Sequence, residues 1–147
     1  MIRRFLYEFY MSSLTLHKAV EIEKALVNRF QAWGIEEVEA VQFEPQGVSI
    51  SLVCSDMECH LHLWNEYNYM TIDVYTNPPS EPMCVIDSIV TNLARDIGHV
   101  DFFMCRAIIP AERTEHSYLQ YETFSSEYQL LCPCQIPCTN IHRLTHN

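Results

Sequence analysis

Positive charge is scarce in this sequence, which has 9 lysines and arginines against 19 aspartates and glutamates and a formal net charge of −10. An acidic surface repels phosphate groups over a long range, so nucleic acid is not an expected partner. The same surface attracts small cations. The composition therefore favours a small cationic ligand over an anionic polymer.

Long apolar runs are also missing, because no stretch approaches the ~20 residues that a membrane-spanning helix needs. The N-terminal segment MIRRFLYEFY begins with basic and then apolar residues. Glu8 interrupts its apolar part and no small-residue cleavage site follows, so we expect a first strand rather than a signal peptide. No internal repeat is visible. These features predict a cytoplasmic protein without a membrane segment.

A chain of 147 residues with 48% hydrophobic content fits one compact domain. We expect that domain to cover residues 1–110, because the composition becomes polar and irregular in the extension 111–147, which ends in a cysteine-rich stretch. The 7 cysteines are an odd number. In a cytosolic protein they are expected to be free thiols or metal ligands rather than disulfides.

The periodicity of apolar residues predicts the order β-α-β-β-β-β-α-β. Alternation predicts strands over 4–10, 35–44, 48–54 and 100–109 and two more within 58–76, and spacing of three and four predicts helices over 16–33 and 84–97. Pro45 and Gly47 predict a hairpin turn, and Gly34 and Gly98 predict helix ends.

The predicted fold class is α+β, a two-layer α/β sandwich with two helices on one face of a mostly antiparallel sheet. Two helices leave one apolar sheet face partly uncovered, which predicts a homodimer, sheet on sheet or edge to edge.

The stretch 56–77, DMECHLHLWNEYNYMTIDVYTN, concentrates reactive side chains. His60 and His62 are two residues apart on a predicted strand, so they share a face and have the spacing to chelate a metal such as Zn²⁺. Cys54 or Glu58 are the available third ligands. We prefer the alternative that these are partly buried polar residues of a pocket.

Several motifs along residues 4–109 resemble the small bacterial and archaeal type of S-adenosylmethionine decarboxylase. They are Glu8-Phe9-Tyr10, Pro45-Gln46-Gly47-Val48-Ser49, His62, Trp64, Glu66-Tyr67, Tyr69 and Asp73-Val74-Tyr75-Thr76. The resemblance implies a self-made pyruvoyl cofactor, which forms when the serine of a Glu-Ser-His motif attacks the preceding peptide carbonyl. It also implies a histidine that assists processing, a proton-donor cysteine in a Thr-Cys-Gly motif, and a product that feeds spermidine synthesis.

This chain departs from the family pattern at the reacting groups. A gapless register places Asp56, Met57 and Glu58 at the Glu-Ser-His motif, retains the processing histidine as His62, and places Asn77 at the proton donor. An amide is a poor general acid. A second register, shifted by two residues, aligns Glu58-Cys59-His60 with Glu-Ser-His and makes Cys59 the processing nucleophile. A pyruvoyl cofactor is expected only in that second case.

The resemblance also implies a substrate pocket that includes Phe9, Glu66 and Trp64. A carboxylate there binds a ribose hydroxyl and an aromatic ring stacks on adenine. The alternative is that Phe9 belongs to the core and Glu66 to a solvated turn. In the extension, Cys132, Cys134 and Cys138 with His142 or His146 have the composition of a metal site, although the C-P-C spacing is atypical of zinc sites.

Three functions follow from these residues. The first is a homologue without pyruvoyl catalysis that binds S-adenosylmethionine or a polyamine and regulates or activates a catalytically active decarboxylase. The second is an active decarboxylase of S-adenosylmethionine or an amino acid, self-processed at Cys59. The third is a different reaction on the same fold, with His60, His62 and Glu58 as acid and base.

Overall fold

The computed structural model describes the backbone of residues 3–77, 83–110, 121–123 and 141–142, and the side chains of 3–77 and 85–106. Within these residues, two helices and eight strands follow one another in sequence order. They are β1 (Arg3–Leu14), α1 (Ala19–Phe30), β2 (Ile35–Gln42), β3 (Val48–Cys54), β4 (Met57–Trp64), β5 (Tyr69–Thr76), α2 (Met83–Ile97), β6 (Gly98–Pro110), β7 (Tyr121–Thr123) and β8 (Ile141–His142). No helix among these residues is long and apolar enough to cross a membrane.

The strands form one sheet in the order β2-β3-β4-β5-β1-β6-β7, and β8 also pairs with β6. Every described pair is antiparallel. The predicted α+β class and the predicted element order up to β6 are confirmed. Two short pieces of the extension 111–147 add to the same sheet as β7 and β8.

Both helices cover one face of the sheet, and the core lies between the helices and this face. Strand residues of one parity, such as Tyr7, Leu61 and Ile72, are fully buried against α1 and α2. The other parity forms a second face, which we call the open face. The open face carries Arg4, Glu8, Tyr10, Ser49, Ser51, Glu58, His60, His62, Trp64, Tyr69, Thr71, Asp73, Tyr75, Phe102 and Met104.

Helix α1 begins three residues later than the range 16–33 predicts. Strand β1 continues to Leu14, and the amides of Thr15 and Leu16 donate to the Ile97 carbonyl oxygen at 2.7 and 3.0 Å, so these residues link two elements instead of starting a helix. The first turn then begins at Ala19, whose amide donates to Gln42 Oε1 at 2.8 Å. At the other end, a 3-10 turn over Gln31–Trp33 follows the helix.

Candidate functional site

One end of the β4–β5 hairpin brings together the two residues, Met57 and Asn77, that the gapless register aligns with the predicted reacting positions. Met57 opens β4 and is paired with Thr76 of β5, and the amide of Asn77 donates to the Asp56 carbonyl oxygen at 3.1 Å. Met57 is only 4% exposed and belongs to the core. These two positions therefore hold a thioether and an amide, neither of which is a good nucleophile or a good general acid.

A cavity of about 290 Å³ lies at this end of the sheet. Its lining residues are Glu36, Val53, Cys54, Ser55, Asp56, Met57, Glu58, Tyr75, Thr76 and Asn77. Three of them are carboxylic acids and none is lysine or arginine, so the cavity is acidic. Its volume lies at the lower limit of the ~300–1,000 Å³ typical of small-molecule sites.

Cys59 lies in the middle of β4 and faces the helices. It is paired with Leu52 on one side and Val74 on the other, and its side chain is fully buried. Burial raises the pKa of the Cys59 thiol well above its ordinary value, with further contributions from Cys54 and Asp73. A buried thiol of that kind stays protonated and is a poor nucleophile.

His60 and Glu58 lie together on the open face, as their spacing predicts. His60 Nε2 is 3.5 Å from Glu58 Oε2, and His60 Nδ1 is 3.1 Å from Ser51 Oγ on the neighbouring strand. The imidazole ring and the Tyr75 ring pack edge to face, with ring centroids 5.8 Å apart. Ser51 was missed by the sequence reasoning because its proximity to His60 depends on the pairing of β3 with β4.

Asp73 and Arg4 form an ion pair beside this group. The Arg4 guanidinium donates two hydrogen bonds to the Asp73 carboxylate, at 2.8 and 2.9 Å, and lies 5.5 Å from the Tyr75 ring centroid. The hydrogen bond to Asp73 raises the pKa of Arg4, with burial opposing it. Asp73 is therefore neutralised by Arg4 and belongs to the sheet surface.

The residues expected to bind a ligand do not come together. Phe9 is fully buried in the core, with its ring stacked on Phe103 at 5.3 Å, and Trp64 is 39% exposed on the opposite face of the sheet. Glu66 is exposed in the turn after β4. At about 3.3 Å per strand residue, Trp64 lies roughly 23 Å from Met57 at the other end of β4. One small molecule cannot contact both ends of that strand.

His62 lies on the open face next to an aromatic row that crosses four strands. The row consists of Trp64, Tyr69, Tyr10 and Phe102, whose successive centroids are 5.4, 5.2 and 4.5 Å apart. The His62 ring is 5.9 Å from Trp64. The Tyr69 hydroxyl donates to Glu8 Oε1 at 3.0 Å, and burial together with this carboxylate raises the pKa of Tyr69. His62 thus borders an aromatic surface rather than the Met57 end of the sheet.

A larger cavity, of about 510 Å³, lies at the opposite end of the sheet from Met57. Two side-chain amides tie its walls together. Asn65 Nδ2 donates to the His17 carbonyl oxygen at 3.1 Å and Asn65 Oδ1 accepts from the Gly47 amide at 3.1 Å, while Gln42 Nε2 donates to the Gly47 carbonyl oxygen at 3.1 Å. The sequence reasoning did not find this cavity, because no local pattern marks side chains that bridge distant loops.

No group of three metal-ligating side chains occurs among the residues whose side chains the structure describes. Cys54, Cys59 and Cys105 are free and buried. The hypothetical ligands Cys132, Cys134 and Cys138 lie outside the described residues, as does the side chain of His142, and His146 lies outside them too.

Comparison with protein families gives a match to the S-adenosylmethionine decarboxylase model over residues 3–104. The chain is 38% identical over 77 residues to an S-adenosylmethionine decarboxylase proenzyme of Bacillus velezensis, with 51% of this chain and 61% of that protein covered. It is 36% identical over 74 residues to the proenzyme of a Geobacillus species, with 49% and 60% covered. The chain therefore spans about three fifths of the length of these relatives.

Two solved structures are similar in fold. The adenosylmethionine decarboxylase of Aquifex aeolicus superimposes with a TM-score of 0.60 at 20% identity, with 78% of this chain and 97% of that chain covered. The Trypanosoma brucei enzyme, crystallised as a monomer, superimposes with a TM-score of 0.50 at 14% identity, with 76% and 47% covered. At such identities the structural likeness establishes the fold alone.

Proposed function

Because this chain belongs to the S-adenosylmethionine decarboxylase family, whose chemistry belongs to polyamine biosynthesis, we propose that it is a member without pyruvoyl catalysis that binds a small cation and acts as a regulatory homologue. The observation that carries the proposal is the Met57–Asn77 end of the sheet. The Met57–Thr76 pairing and the Asn77–Asp56 hydrogen bond bring together the two positions that the gapless register assigns to the nucleophile and the proton donor. In that register the nucleophile and the proton donor are replaced together.

The position of Cys59 argues against self-processing at that residue. Cleavage before Cys59 would cut a strand that is hydrogen-bonded on both sides. Attack by its sulfur also requires a thiolate, which burial disfavours. Decarboxylation through a pyruvoyl group at Cys59 is therefore the weaker alternative.

The acidic cavity is the ligand site that we propose, in place of Phe9, Trp64 and Glu66. Glu36, Asp56 and Glu58 contribute carboxylates, and Tyr75 adds an aromatic wall. A small amine such as spermidine, or the amino-acid end of S-adenosylmethionine, has the complementary charge. Long-range attraction by the net charge of −10 adds to the capture of such a cation.

We also propose a homodimer that forms through the open face. The aromatic row of Trp64, Tyr69, Tyr10 and Phe102 is an apolar surface of the kind that marks an interface. A catalytically active family member could take the place of the second copy. The contact between this chain and that family member would then be the regulatory contact. Residues 1–110 form the unit that we assign to these functions, with 111–147 as an extension.

Two measurements on the full chain test the proposal. The denatured mass of freshly purified protein should be one species of 17.2 kDa, and incubation with carboxyl-labelled S-adenosylmethionine should release no CO₂. Calorimetric titration with spermidine and with S-adenosylmethionine should show saturable binding by at least one of them. Two fragments split before Cys59, or release of CO₂, would overturn the assignment.

Charge-removing variants locate the ligand. Asp56→Asn and Glu36→Gln should each weaken the affinity by roughly two- to fivefold, the effect of losing one solvent-screened charge pair. Glu39→Gln is the matched control, because Glu39 is an exposed glutamate of the same strand as Glu36 but does not line the cavity. Equal weakening in all three variants would mean that only net charge matters and that the cavity is not the site.

A further inference from the structure

Ser51, His60 and Glu58 form a connected chain of polar side chains on the open face. Ser51 and His60 are directly opposite each other on β3 and β4, with Ser51 Oγ 3.1 Å from His60 Nδ1. The other ring nitrogen, His60 Nε2, lies 3.5 Å from Glu58 Oε2. A hydroxyl, an imidazole and a carboxylate in this order are the nucleophile, base and orienting group of acyl-transfer enzymes.

The sheet places these three side chains rigidly. Glu58 and His60 are two residues apart on β4, so they project from the same face, and β3 and β5 hold β4 from both sides. The edge contact between His60 and Tyr75 limits rotation of the imidazole ring. Sites on paired strands hold their geometry better than sites on loops.

The Glu58 carboxylate lies nearer to Nε2 of His60, and its proximity bears on which ring nitrogen carries the proton. A carboxylate accepts hydrogen bonds, so it favours the tautomer with the proton on Nε2. The lone pair of Nδ1 then faces Ser51, whose hydroxyl donates to it. The same carboxylate stabilises the imidazolium that forms when Ser51 loses its proton.

We propose that Ser51 is an activated nucleophile that accepts an acyl group from a small ester, with His60 as general base and Glu58 as a positioning residue. Ser51 Oγ attacks the ester carbonyl carbon while its proton passes to His60 Nδ1. The bond between that carbon and the ester oxygen breaks, and the alcohol leaves with the same proton. Water then attacks the acyl-serine, again giving its proton to His60, and releases the acid as Ser51 recovers its hydrogen.

His60 and Glu58 lie four and six residues along β4 from Trp64, so a dimer that forms through the aromatic row leaves room for a reagent beside them. Ser51 is half-buried, and the side chains of His60 and Glu58 are 35% and 54% exposed. Glu58 and Tyr75 also line the acidic cavity, which gives the acyl group of a short ester a place next to the reacting atoms. This activity goes beyond the proposed function, because it requires neither a bound cation nor a family partner, although the acyl group and the cation would share the acidic cavity.

The test is covalent labelling of the full chain with diisopropyl fluorophosphate, which reacts with activated serines. Intact mass should show one adduct, and peptide mapping should place it on Ser51. His60→Gln should slow labelling by about a hundredfold or more, the usual contribution of a general base. p-Nitrophenyl acetate should give a burst of one nitrophenolate per chain, lost in Ser51→Ala.

Matched variants distinguish labelling of an activated Ser51 from nonspecific labelling. Ser49→Ala should label normally, because Ser49 lies on the same face of β3, two residues from Ser51 and opposite His62. Glu58→Gln keeps the size of the side chain, so slower labelling at an unchanged melting temperature, with partial recovery in Glu58→Asp, identifies a positioning role. Failure of the wild type to label, or an adduct on any other residue, overturns the proposal. Should Ser51→Ala melt early, mapping of the wild-type adduct still decides.

Discussion

At the scale of single residues, the half-buried carboxyl of Asp87 lies between α2 and the sheet, with its Oδ1 atom buried. Asp87 of α2 faces Tyr7 and Cys105, which are paired across β1 and β6 and fully buried. Asp87 Oδ1 has no hydrogen-bond partner among the described residues, although the Tyr7 hydroxyl is close enough to oppose the effect of burial. Burial raises the pKa of Asp87 from 3.8 to about 6. Ionising Asp87 at neutral pH therefore costs stability.

We expect Asp87→Asn to stabilise the protein at pH 8 and to change little at pH 4. The folded state binds the Asp87 proton more tightly than the unfolded chain, so its contribution is present below about pH 4 and is lost as the pH rises through about 6. The variant should raise the free energy of unfolding at pH 8 by roughly 1–2 kcal/mol. Urea unfolding at both pH values measures this difference.

The exposed Glu39 supplies the comparison for this variant, since Glu39→Gln should change the free energy of unfolding equally little at both pH values. An Asp87→Asn effect of the same size at pH 4 and pH 8 would show that its titration is not coupled to folding.

At the scale of elements, Gly98 joins α2 directly to β6. A Cβ atom at this position would lie 2.4 Å from the Ser13 carbonyl oxygen and 3.2 Å from Leu14 Cα, both atoms of the backbone. Gly98→Ala therefore has to push β1 and β6 apart. We expect it to lower the free energy of unfolding by about 2–3 kcal/mol, as overpacking does in other proteins.

Gly34→Ala is the contrasting variant in the same unfolding experiment. Gly34 has a φ of 66° but its added Cβ would meet only the Ser55 side chain, at 3.6 Å. The expected loss is about 1 kcal/mol, from backbone conformation alone. If Gly34→Ala were the more damaging of the two, the close approach at Gly98 would not be important.

The pattern of apolar residues was enough to predict the elements that pack on both sides of the core. Alternation predicted β3 to β5 because each of these strands buries one parity against the helices. The predicted start of α1 was wrong. Leu16 is an apolar residue at helical spacing, but its amide donates to the Ile97 carbonyl oxygen instead of starting the helix. Local periodicity cannot distinguish a helical turn from a linker that packs on the core.

The candidate site was less predictable, for a related reason. The shared face of Glu58 and His60 follows from their spacing on one strand. The proximity of Ser51 to His60 depends on the register in which β3 pairs with β4. Phe9 and Trp64 belong to opposite faces of the sheet, which is apparent only once α1 and α2 are known to cover one face.

At the scale of the whole molecule, the open face and the sheet edge are the alternatives for self-association. The described edge strand β2 carries Glu36, Glu37 and Glu39, and pairing two copies of it would bring like charges together. The open face has the aromatic row instead. Sheet-on-sheet packing therefore removes apolar surface without placing acidic edges side by side.

This difference predicts the response of the assembly to a charge in the aromatic row. Wild-type protein should sediment at twice the 17.2 kDa of one chain, and Trp64→Glu should sediment as single chains, since the pairing would bury a carboxylate among aromatic rings. Val20→Glu is the control, because Val20 is 69% exposed on α1 and lies away from the open face. A wild-type monomer, or dissociation by Val20→Glu instead, would place the self-association surface elsewhere or remove it.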